Sequence, residues 1–582
     1  MKRRQFIKLA GLSTAAVLCN RYPGFGAPLA TLQFPTGIDL LRNGRWVSLT
    51  GSREHWTLDD LTVDLRHTTE GIRIRLHAPA TSLEKLRLHW RWYFPAGAKY
   101  LGDAWERSYG DLSWTDAGPS NGSRADHPLD RRAPWYLLVY DGHQTHAFGV
   151  KTGAGCFCYW QATPDHLALV LDTHSGGGGV QLGDRILQAA EIVTTQSTPG
   201  EDPFQTDHRF CKLMCSRPRL PQKPVYGIND WYFAYGNNSR DLILRSTRMM
   251  AELVTDTHNR PFSVIDDGWE TDDFTKPNTK FGDMSAVAAE IKKLGMRPGL
   301  WTRPLLANRT DSPTGLIHRP GDGNSKEQYL DPTIPENLHR IGETIRLYRQ
   351  WGFELVKHDY STYDALGRWG SQMQDELTVA GWHFNDRSRT NAEILSDLYR
   401  TIREAADDNP AASSVPASSN APAASNGPAA PNGPAAPGNP PMYLIGCNTV
   451  SHLSAGVFEL NRIGDDTSGR EWARTVRMGV NTLAFRLPQH NAFYAVDGDC
   501  VGLTTQIPWE KNKQWMQLLA GSGAPLFISA QMEATGAEQR AFIKKCFQQA
   551  ARPQPIGQPL DWLTNPRPEK WLLDGEIVDF SW

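Results

Sequence analysis

Several features that mark particular classes of protein are scarce in this sequence. Basic residues do not outnumber acidic ones, since 61 Lys and Arg stand against 63 Asp and Glu, so we expect no nucleic-acid partner. Beyond the N-terminus no apolar run is long enough to span a bilayer, so we expect no membrane partner. Cysteine is sparse at 8 in 582 residues.

The cysteines do not form a recognisable metal pattern. Cys156-x-Cys158 and Cys211-xxx-Cys215 lack a second pair at the spacing that zinc sites use. We therefore predict no metal and no cofactor, and we expect the thiols to be disulfide-bonded or free and buried.

The N-terminus carries the features of an export signal. Lys2-Arg3-Arg4-Gln5-Phe6-Ile7-Lys8 is a twin-arginine pattern, followed by an apolar stretch from Leu9 to Leu18 and small residues at 24–27. We predict a twin-arginine signal peptide over residues 1–27 and a periplasmic or secreted protein. The alternatives are a basic start followed by a first helix, and a lipoprotein attached at Cys19, which the large Leu18 disfavours.

Residues 30–220 are predicted to form an N-terminal β-sandwich domain. Segments such as Gly71–His77 and Trp135–Tyr140 alternate or run apolar, and Gly, Asp and Pro turns separate them. Within this region the polar and aromatic cluster Leu101–Gly110 has two interpretations. It is either a packed corner or a loop that reaches a neighbouring site.

From Pro224 the pattern changes to a short apolar strand, a polar tip and then an amphipathic helix. Repetition of this unit predicts a (β/α)8 TIM barrel over residues 224–520, with its polar tips at the C-terminal strand ends. The predicted strands are Val225–Phe233, Pro261–Trp269, Met296–Pro304, Phe353–Ser361, Met442–Asn448, Val457–Asp466, Val480–Arg486 and Phe493–Gly502.

Two segments depart from this pattern. Residues 409–441 are almost entirely Ala, Pro, Ser, Asn and Gly, which predicts a disordered insertion on the barrel face opposite the site. Residues 521–582 predict a short β-rich C-terminal extension. The predicted fold class is therefore multidomain, with an all-β sandwich preceding a TIM barrel.

The barrel strands end in acidic phrases that indicate glycoside hydrolysis. Asp359 ends strand four, and Lys357, two residues earlier, shares its face, so the lysine would keep Asp359 ionised as a nucleophile. Asp466 ends strand six, four residues after Arg462, and would be the acid/base. Asp465 competes for that role, and helix capping is the alternative interpretation of the Asp465-Asp466 pair.

Other polar and aromatic residues at the strand ends are predicted to bind the substrate. Asp266 and Asp267 end strand two and suit two neighbouring hydroxyls, although a metal site is the alternative. The remaining candidates are either walls and floor of a pocket or ordinary core, and they are Trp231, Tyr232, Trp301, Cys447 and Asn448.

The ordered set of motifs resembles one known family. Ile265-Asp-Asp-Gly-Trp269, Gly299-Leu-Trp-Thr-Arg-Pro304, Lys357-His-Asp359 and Arg462-Ile-Gly-Asp-Asp-Thr467 are similar to motifs of the α-galactosidases of glycoside hydrolase family 36, in clan D. The resemblance covers about residues 30 to 530. It implies an N-terminal β-supersandwich before the barrel and a retaining mechanism.

The resemblance also implies a role for each residue. Asp359 would be the nucleophile and Asp466 the acid/base. Asp266 and Asp267 would hold O4 and O6 of galactose, Lys357 and Arg462 the O3 and O2 sides, and Trp301 and Trp231 the walls.

The chain departs from the family at strand five, where Cys447-Asn448-Thr449 replaces a Cys-x-Ser-Gly-Gly-Gly-Arg run. The sequence therefore does not determine which group the site accepts at the O2 position of the sugar, and α-N-acetylgalactosaminidase or transglycosidase activity is the alternative. A non-catalytic carbohydrate-binding protein and a metal-dependent barrel hydrolase are more distant. The expected partners are α-galactoside oligosaccharides or glycoconjugates. The sequence does not determine whether the protein is a homo-oligomer.

Overall fold

The computed structural model of the chain describes residues 32–116, 132–163, 166–308, 315–322, 327–374, 376–408 and 442–582. The predicted signal peptide (1–27) and the predicted insertion (409–441) lie outside the described residues. Across these ranges, no helix has both the length and the apolar character that a membrane crossing requires.

The N-terminal region folds into antiparallel sheets, as predicted. Strands such as Leu61–His67 alternate, so that one set of side chains is buried while the other faces outward. Phe148 of one sheet contacts Trp160 of the other, with ring centroids 5.9 Å apart, so aromatic side chains fill the space between the sheets. The strands are β1 (Gly37–Arg42), β2 (Arg45–Ser48), β3 (Thr50–Ser52), β4 (His55–Leu58), β5 (Leu61–His67), β6 (Gly71–His77), β7 (Lys85–Arg91), β8 (Lys99–Gly102), β9 (Thr115–Asp116), β10 (Arg132–Pro134), β11 (Tyr136–Tyr140), β12 (Thr145–Val150), β13 (Phe157–Thr163), β14 (His166–Asp172), β15 (His174–Ser175), β16 (Gly178–Gly179) and β17 (Leu187–Gln196).

In the described ranges these strands form two large sheets. Their orders are β10-β13-β14-β7-β1-β2 and β3-β4-β5-β6-β17-β12-β11-β8-β9, while β15 and β16 pair separately. The segment that follows β8 leaves the second sheet and reaches the barrel, where Ser108 forms a bridge with Gly464.

The second region is a parallel sheet that curls into a barrel. Its strands are β18 (Tyr226–Asn229), β19 (Phe262–Ile265), β20 (Arg297–Thr302), β21 (Leu355–His358), β22 (Tyr443–Gly446), β23 (Leu460–Arg462), β24 (Ala495–Asp497), β25 (Cys500–Leu503) and β26 (Leu526–Ala530). The sheet order is β24-β23-β22-β21-β20-β19-β18-β26-β25. Because only Gly498 and Asp499 separate β24 from β25, the two edges of the sheet must adjoin.

The seventh and eighth predicted strands differ from the observed ones. Val480–Arg486 is helical. The prediction was wrong because a short helix that is buried on all sides has the same apolar sequence pattern as a buried strand. The predicted strand Phe493–Gly502 spans β24 and all of β25 except Leu503. On the side away from β19, β18 pairs with β26, which lies beyond residue 520.

Helices alternate with the barrel strands, as the pattern predicted. They are α1 (Pro203–Met214), α2 (Trp231–Ala234), α3 (Arg240–Ala251), α4 (Met284–Lys293), α5 (Pro335–Gln350), α6 (Ser361–Leu366), α7 (Asn391–Asp407), α8 (Ser451–Ser454), α9 (Trp472–Thr475), α10 (Thr482–Arg486), α11 (Trp509–Gly521) and α12 (Ala537–Ala550). The C-terminal residues form an antiparallel sheet of β27 (Gln558–Pro559), β28 (Lys570–Leu573) and β29 (Glu576–Asp579).

Candidate active site

A pocket of about 270 Å³ opens at the carboxyl ends of the barrel strands. Parallel strands bring their C-terminal residues to one edge, so side chains far apart in the sequence meet there. The pocket is lined by Arg107, Tyr109, Trp231, Asp266, Asp267, Trp301, Lys357, Asp359, Tyr360, Trp369, Ser371, Asn448, Asp465 and Asp466.

Asp359 is buried in the pocket wall and held by donors on several sides. Trp301 donates from Nε1 to its Oδ2 at 3.0 Å, the backbone N–H of Tyr360 donates to its Oδ1 at 2.7 Å, and the Asn448 amide donates to the same oxygen. Burial alone would raise the pKa of Asp359. The charges of Lys357 and Arg107 and these hydrogen bonds outweigh burial and hold the pKa below its usual value.

The turn after Asp359 is conformationally strained. Tyr360 has φ 64°, in the left-handed region that a residue with a Cβ rarely adopts. The turn lets the Tyr360 N–H face the Asp359 carboxylate before α6 begins. Strain at such a position is typical of functional sites, and Arg303 stacks on the Tyr360 ring at 4.2 Å.

Asp466 is held by two arginines and is only partly exposed to solvent. Its Oδ1 lies 3.0 Å from Arg462 Nη2 and 3.4 Å from Arg107 Nη1, while 37% of its side chain is exposed. Burial raises the pKa of Asp466, but Arg462, Arg107 and Lys357 lower it further than burial and the nearby Asp359 charge raise it. The net result is a pKa below the usual value.

Asp266 forms a buried ion pair with Lys357. The lysine Nζ lies 2.7 Å from Asp266 Oδ2, and Asn229 donates to the same oxygen at 2.6 Å. Burial would lower the pKa of Lys357, but the Asp266 charge raises it well above the usual value. Lys357 is therefore a fixed cation between Asp266 and Asp359.

Asp230 supports Asp266 from behind the pocket. Its Oδ1 accepts from the Asp266 N–H at 2.7 Å and its Oδ2 accepts from Asn238 at 2.8 Å. Burial, together with repulsion from Asp266, raises the pKa of Asp230 to about 7.

Asp267 shares a hydrogen bond with Glu270, a residue that the sequence did not single out. Burial raises the pKa of Asp267, the hydrogen bond with Glu270 opposes this rise, and the charges of Asp266 and Asp359 add to it, so that the pKa lies above its usual value. Burial and the bond to Asp267 raise the pKa of Glu270 to about 8. Two carboxyl groups that face each other in this way hold one proton between them near neutral pH.

Aromatic rings form much of the pocket wall. Trp301 and Tyr360 meet edge to face, with centroids 6.3 Å apart, and Tyr360 meets Trp369 in the same manner at 5.4 Å. Trp231 lines the pocket from α2. Aromatic side chains that stand beside convergent polar groups are typical of small-molecule sites.

Three predicted site residues lie beneath the pocket and do not line it. Arg462 is 1% exposed and pairs with Asp499 Oδ2 at 2.5 Å. The Tyr232 hydroxyl donates to the same carboxylate, and the Cys447 Sγ accepts from Arg462 at 3.8 Å. This layer orients Arg462 towards Asp466, so these residues act on the pocket from below.

The Leu101–Gly110 cluster reaches the pocket from the sandwich. Arg107 Nη2 lies 3.1 Å from Asp465 Oδ1, and the Tyr109 ring lies 6.0 Å from the Arg107 guanidinium. Of the two interpretations that the sequence left open, the structure supports the loop that reaches a neighbouring site. The chain around Ser108 is fixed by backbone hydrogen bonds of 2.9 Å to Ile463 and Asp465.

The sequence prediction did not assign several pocket residues to the site. Tyr360 directly follows Asp359, so its place beside the candidate nucleophile could have been noticed. Trp369 and Ser371 lie in a connecting segment whose course the sequence does not indicate. Asp499, which pairs with Arg462, lies between β24 and β25 and was not among the predicted site residues.

One other cluster of side chains has the composition of a metal site. Ligand atoms of Asp172, His174 and Glu376 lie within 4.8 Å of one another. Lys85 Nζ lies 2.8 Å from Glu376 Oε1 and 3.8 Å from Asp172 Oδ2, so an ammonium group already balances these carboxylates. The cluster lies among residues that do not line the pocket.

Comparison with known sequences identifies no relative. No family model matches the chain, and no curated protein matches it either.

Solved structures match the fold over most of its length. An α-galactosidase from Thermus thermophilus, in complex with p-nitrophenyl α-D-galactopyranoside, is 18% identical with a TM-score of 0.57, over 94% of this chain and 99% of that one. A variant of the glycoside hydrolase family 36 α-galactosidase from Geobacillus stearothermophilus, in complex with raffinose, is 13% identical with a TM-score of 0.56, over 94% and 80%. The α-galactosidase from Lactobacillus brevis is 12% identical with a TM-score of 0.53, over 89% and 72%. The chain therefore has the fold of these enzymes, with the β-sandwich and barrel expected from the motifs.

Proposed function

We propose that this protein is a retaining α-galactosidase that removes terminal, non-reducing α-D-galactosyl residues. The observation that carries the proposal is the meeting of Asp359 and Asp466 in one pocket beside Asp266 and Asp267. Retaining glycosidases need one ionised carboxylate and one proton-donating carboxyl group. The fold shared with α-galactosidases in complex with galactosides supports the choice of sugar.

In the first step Asp359 attacks the anomeric carbon while Asp466 gives its proton to the leaving oxygen. The hydrogen bonds from Trp301, Asn448 and the Tyr360 N–H support this role, because they fix the carboxylate and keep it ionised. The exposed fraction of Asp466 supports its role, because a proton donor must reach the leaving group at the pocket mouth.

In the second step Asp466, now ionised, removes a proton from water as the water attacks the galactosyl ester of Asp359. Esterification removes the Asp359 charge, which had raised the pKa of Asp466, so the base form is favoured at this stage. In the free enzyme the arginines hold the pKa of Asp466 low. We therefore expect the protonated form that starts the reaction to require acidic pH, and an acidic optimum.

Substrate recognition would rest on the charged and aromatic walls. Asp266 and Asp267 offer acceptors for two neighbouring hydroxyls, and Lys357 adds a donor beside them. Trp231 and Trp301 offer flat faces for the sugar ring. Asn448 donates to Asp359 at the strand-five position where the motif departs from the family pattern, so an N-acetylgalactosaminide is the substrate to compare.

The test is hydrolysis of p-nitrophenyl α-D-galactopyranoside by the purified protein and by Asp359→Ala. We expect release by the wild type and a loss of at least about a thousandfold in the variant, since covalent catalysis depends on this group. Proton NMR of the first sugar released should show the α-anomer. Asp256→Ala, at a loop carboxylate that is 34% exposed and does not line the pocket, is the matched control and should keep full activity.

The alternatives make different predictions in the same assay. Release only from the N-acetylgalactosaminide would reassign the sugar, and galactosyl products with an added sugar acceptor would indicate transfer. Saturable binding of galactose without turnover of any glycoside would indicate a binding protein. Loss of activity with a chelator would indicate a metal-dependent hydrolase.

We also propose that the protein is exported through the twin-arginine pathway. The Arg3-Arg4 pair with Phe6 and Lys8 supports this. Fractionation of cells that express the wild type and Arg3→Lys/Arg4→Lys should show the wild type outside the cytoplasm and the variant retained. Equal distribution of the two proteins would contradict export by this route.

A further inference from the structure

We propose that Arg107, supplied by the β-sandwich, is a positioning residue that fixes the orientation and the charge of the Asp466 carboxylate during catalysis. This inference rests on the proposed function, and it assigns to the N-terminal domain a direct part in the proton transfers of the barrel site.

Arg107 is a buried cation aimed into the pocket. Only 5% of the residue is exposed, yet it lines the cavity, and its Nε is buried without a hydrogen-bond partner. A buried guanidinium requires anionic partners to offset its lost hydration. Those partners are Asp465 at 3.1 Å and Asp466 at 3.4 Å.

The two aspartates do not hold Arg107 in the same way. Asp465 also pairs with Arg474, whose Nη2 lies 2.8 Å from Asp465 Oδ2, and its side chain is 17% exposed. Asp466 is 37% exposed. Asp465 therefore anchors the guanidinium, while Asp466 faces the cavity and keeps a contact that can lengthen when its proton is gained or lost.

The loop that carries Arg107 is locked to the segment that carries Asp466. The Ser108 N–H donates to the Ile463 carbonyl and the Asp465 N–H donates to the Ser108 carbonyl, each at 2.9 Å. Arg486 donates to the carbonyls of both Glu106 and Ile463. The backbone segments that carry Arg107 and Asp466 are therefore joined directly, although they belong to different domains.

Arg486 is itself fixed by the sandwich. Its Nε lies 2.8 Å from Asp103 Oδ1 in a pair of which neither side chain is appreciably exposed. A buried pair of this kind is costly to break, so the position of the loop is set by the folded sandwich and does not depend on substrate.

Charged and titratable groups from several elements face Asp466. They are Arg462 from β23, Arg107 from the sandwich loop, Lys357 from β21, Asp359 directly after β21, Tyr360 before α6, Tyr232 from α2 and Asp465 beside it. Arg462 is committed to Asp499 at 2.5 Å and Lys357 to Asp266 at 2.7 Å. Arg107 differs from these two cations, because its other carboxylate partner is Asp465, the immediate neighbour of Asp466.

The chemical consequence concerns both reaction steps. Loss of Arg107 removes a positive charge that lowers the pKa of Asp466 and that of Asp359. The acid form of Asp466 then persists to higher pH, while Asp359 loses its ionised form at a higher pH than before. Both limbs of a bell-shaped profile of kcat/KM report these free-enzyme groups, so both should move upward.

The experiment compares the wild type with Arg107→Gln, Arg107→Lys and Asp465→Asn. We expect Arg107→Gln to shift both limbs to higher pH and to lower kcat more than tenfold at the wild-type optimum. Arg107→Lys should return the limbs towards the wild-type positions. Asp465→Asn should shift the alkaline limb downward, because it removes a negative charge beside Asp466.

Arg185→Gln is the matched control. This sandwich arginine also pairs with the barrel, at 2.7 Å from Glu393, but it does not line the pocket, so neither limb should move. A loss of rate in Arg107→Gln that is uniform across pH, with limbs unchanged, would overturn the proposal. So would equal shifts in Arg185→Gln.

A direct titration separates this inference from the proposed function. Carbon-13 NMR of aspartate-labelled protein, with the Asp466 signal assigned by its absence in Asp466→Asn, follows this carboxyl group without turnover. A higher midpoint in Arg107→Gln or, if that variant does not fold, a lower one in Asp465→Asn supports the role even if no galactoside is hydrolysed. An unchanged midpoint in the folded variants rejects it even if the enzyme is an α-galactosidase.

Discussion

Replacement of Lys357 by Met tests the central ion pair of the site. The lysine Nζ lies 2.7 Å from Asp266 Oδ2, and the two side chains are 12% and 3% exposed. Methionine has a similar length and fills the same space, so the change removes the charge and leaves little cavity. Asp266 then remains as a buried carboxylate without its cation.

Removal of one partner of a buried pair typically costs about 3–5 kcal/mol of stability, because the other charge is left uncompensated. Asp266 keeps its bonds from Asn229 and from the Asp267 N–H, so we expect the lower end, about 3 kcal/mol. In Lys357→Met/Asp266→Asn the uncompensated charge is absent. We expect the double variant to be more stable than Lys357→Met alone.

The assays are thermal and urea unfolding followed by tryptophan fluorescence, together with the pH profile of kcat/KM. Lys357 contributes the largest of the effects that hold the pKa of Asp359 below its usual value against burial. Without Lys357 that pKa rises, so the acidic limb should move to higher pH. Lys85→Met is the control, because it removes another buried lysine, whose Nζ lies 3.8 Å from the buried Asp172 and 2.8 Å from the exposed Glu376, away from the pocket.

Two results would refute this reasoning. If the acidic limb stays in place in an active Lys357→Met enzyme, the lysine does not control the ionisation of Asp359. If the stability changes of Lys357→Met and Asp266→Asn simply add in the double variant, the two residues are not coupled.

Three further predictions concern the surroundings of the site. Trp301→Phe keeps the ring but removes the donor to Asp359, and a hydrogen bond to a charged group of about 1.5–3 kcal/mol predicts a fall in kcat/KM of about 10- to 100-fold. The pKa of Glu270 is raised to about 8, so above pH 4.5 the folded protein binds more protons than the unfolded chain and its stability falls as the pH rises towards 8. Unfolding of Glu270→Gln should show a weaker decline of stability over this range. An equal decline in the variant would contradict the shared proton. Arg486→Met leaves Asp103 buried without its cation, although Gln489 still donates to it at 3.0 Å. We therefore expect a loss of about 3–5 kcal/mol in unfolding assays and lower activity, because the Arg107 loop is released; full activity would contradict the coupling.

The strand-end residues could be predicted because a parallel barrel gathers the C-terminal ends of its strands. Asp359, Asp266 and Trp301 follow directly from short apolar runs, and each lies in the pocket. The helices between the strands could also be predicted, because amphipathic segments such as Pro335–Gln350 have one buried face.

The seventh and eighth strands could not be read in the same way. Val480 to Arg486 is buried on every side of a helix, so its sequence lacks the polar face by which a surface helix is recognised. The seventh position of the observed barrel, between β23 and β26, is occupied by β24 and β25. Asp499, which separates them, has φ 74°. That conformation places the Asp499 carboxylate against Arg462, so the break between β24 and β25 belongs to the layer under the site.

Arg107 was beyond sequence reasoning for a different reason. Its contacts with Asp465 and Asp466 join residues more than 350 positions apart and depend on how two domains dock, which no local pattern encodes. The sequence showed only a polar and aromatic cluster between two strands. The role of Arg107 is inferred from the burial of its charge, and burial is a property of the assembled fold.

The charges around the pocket also bear on the kind of substrate. Arg107, Lys357, Arg462 and Arg474 each lie within 4 Å of a carboxylate, so each cation is already balanced by the protein. An anionic ligand would have to displace one of these carboxylates from its cation and leave it unpaired. A neutral sugar needs only hydrogen bonds and flat apolar walls, so the pocket suits it, and the charges are left to set the protonation of Asp359 and Asp466.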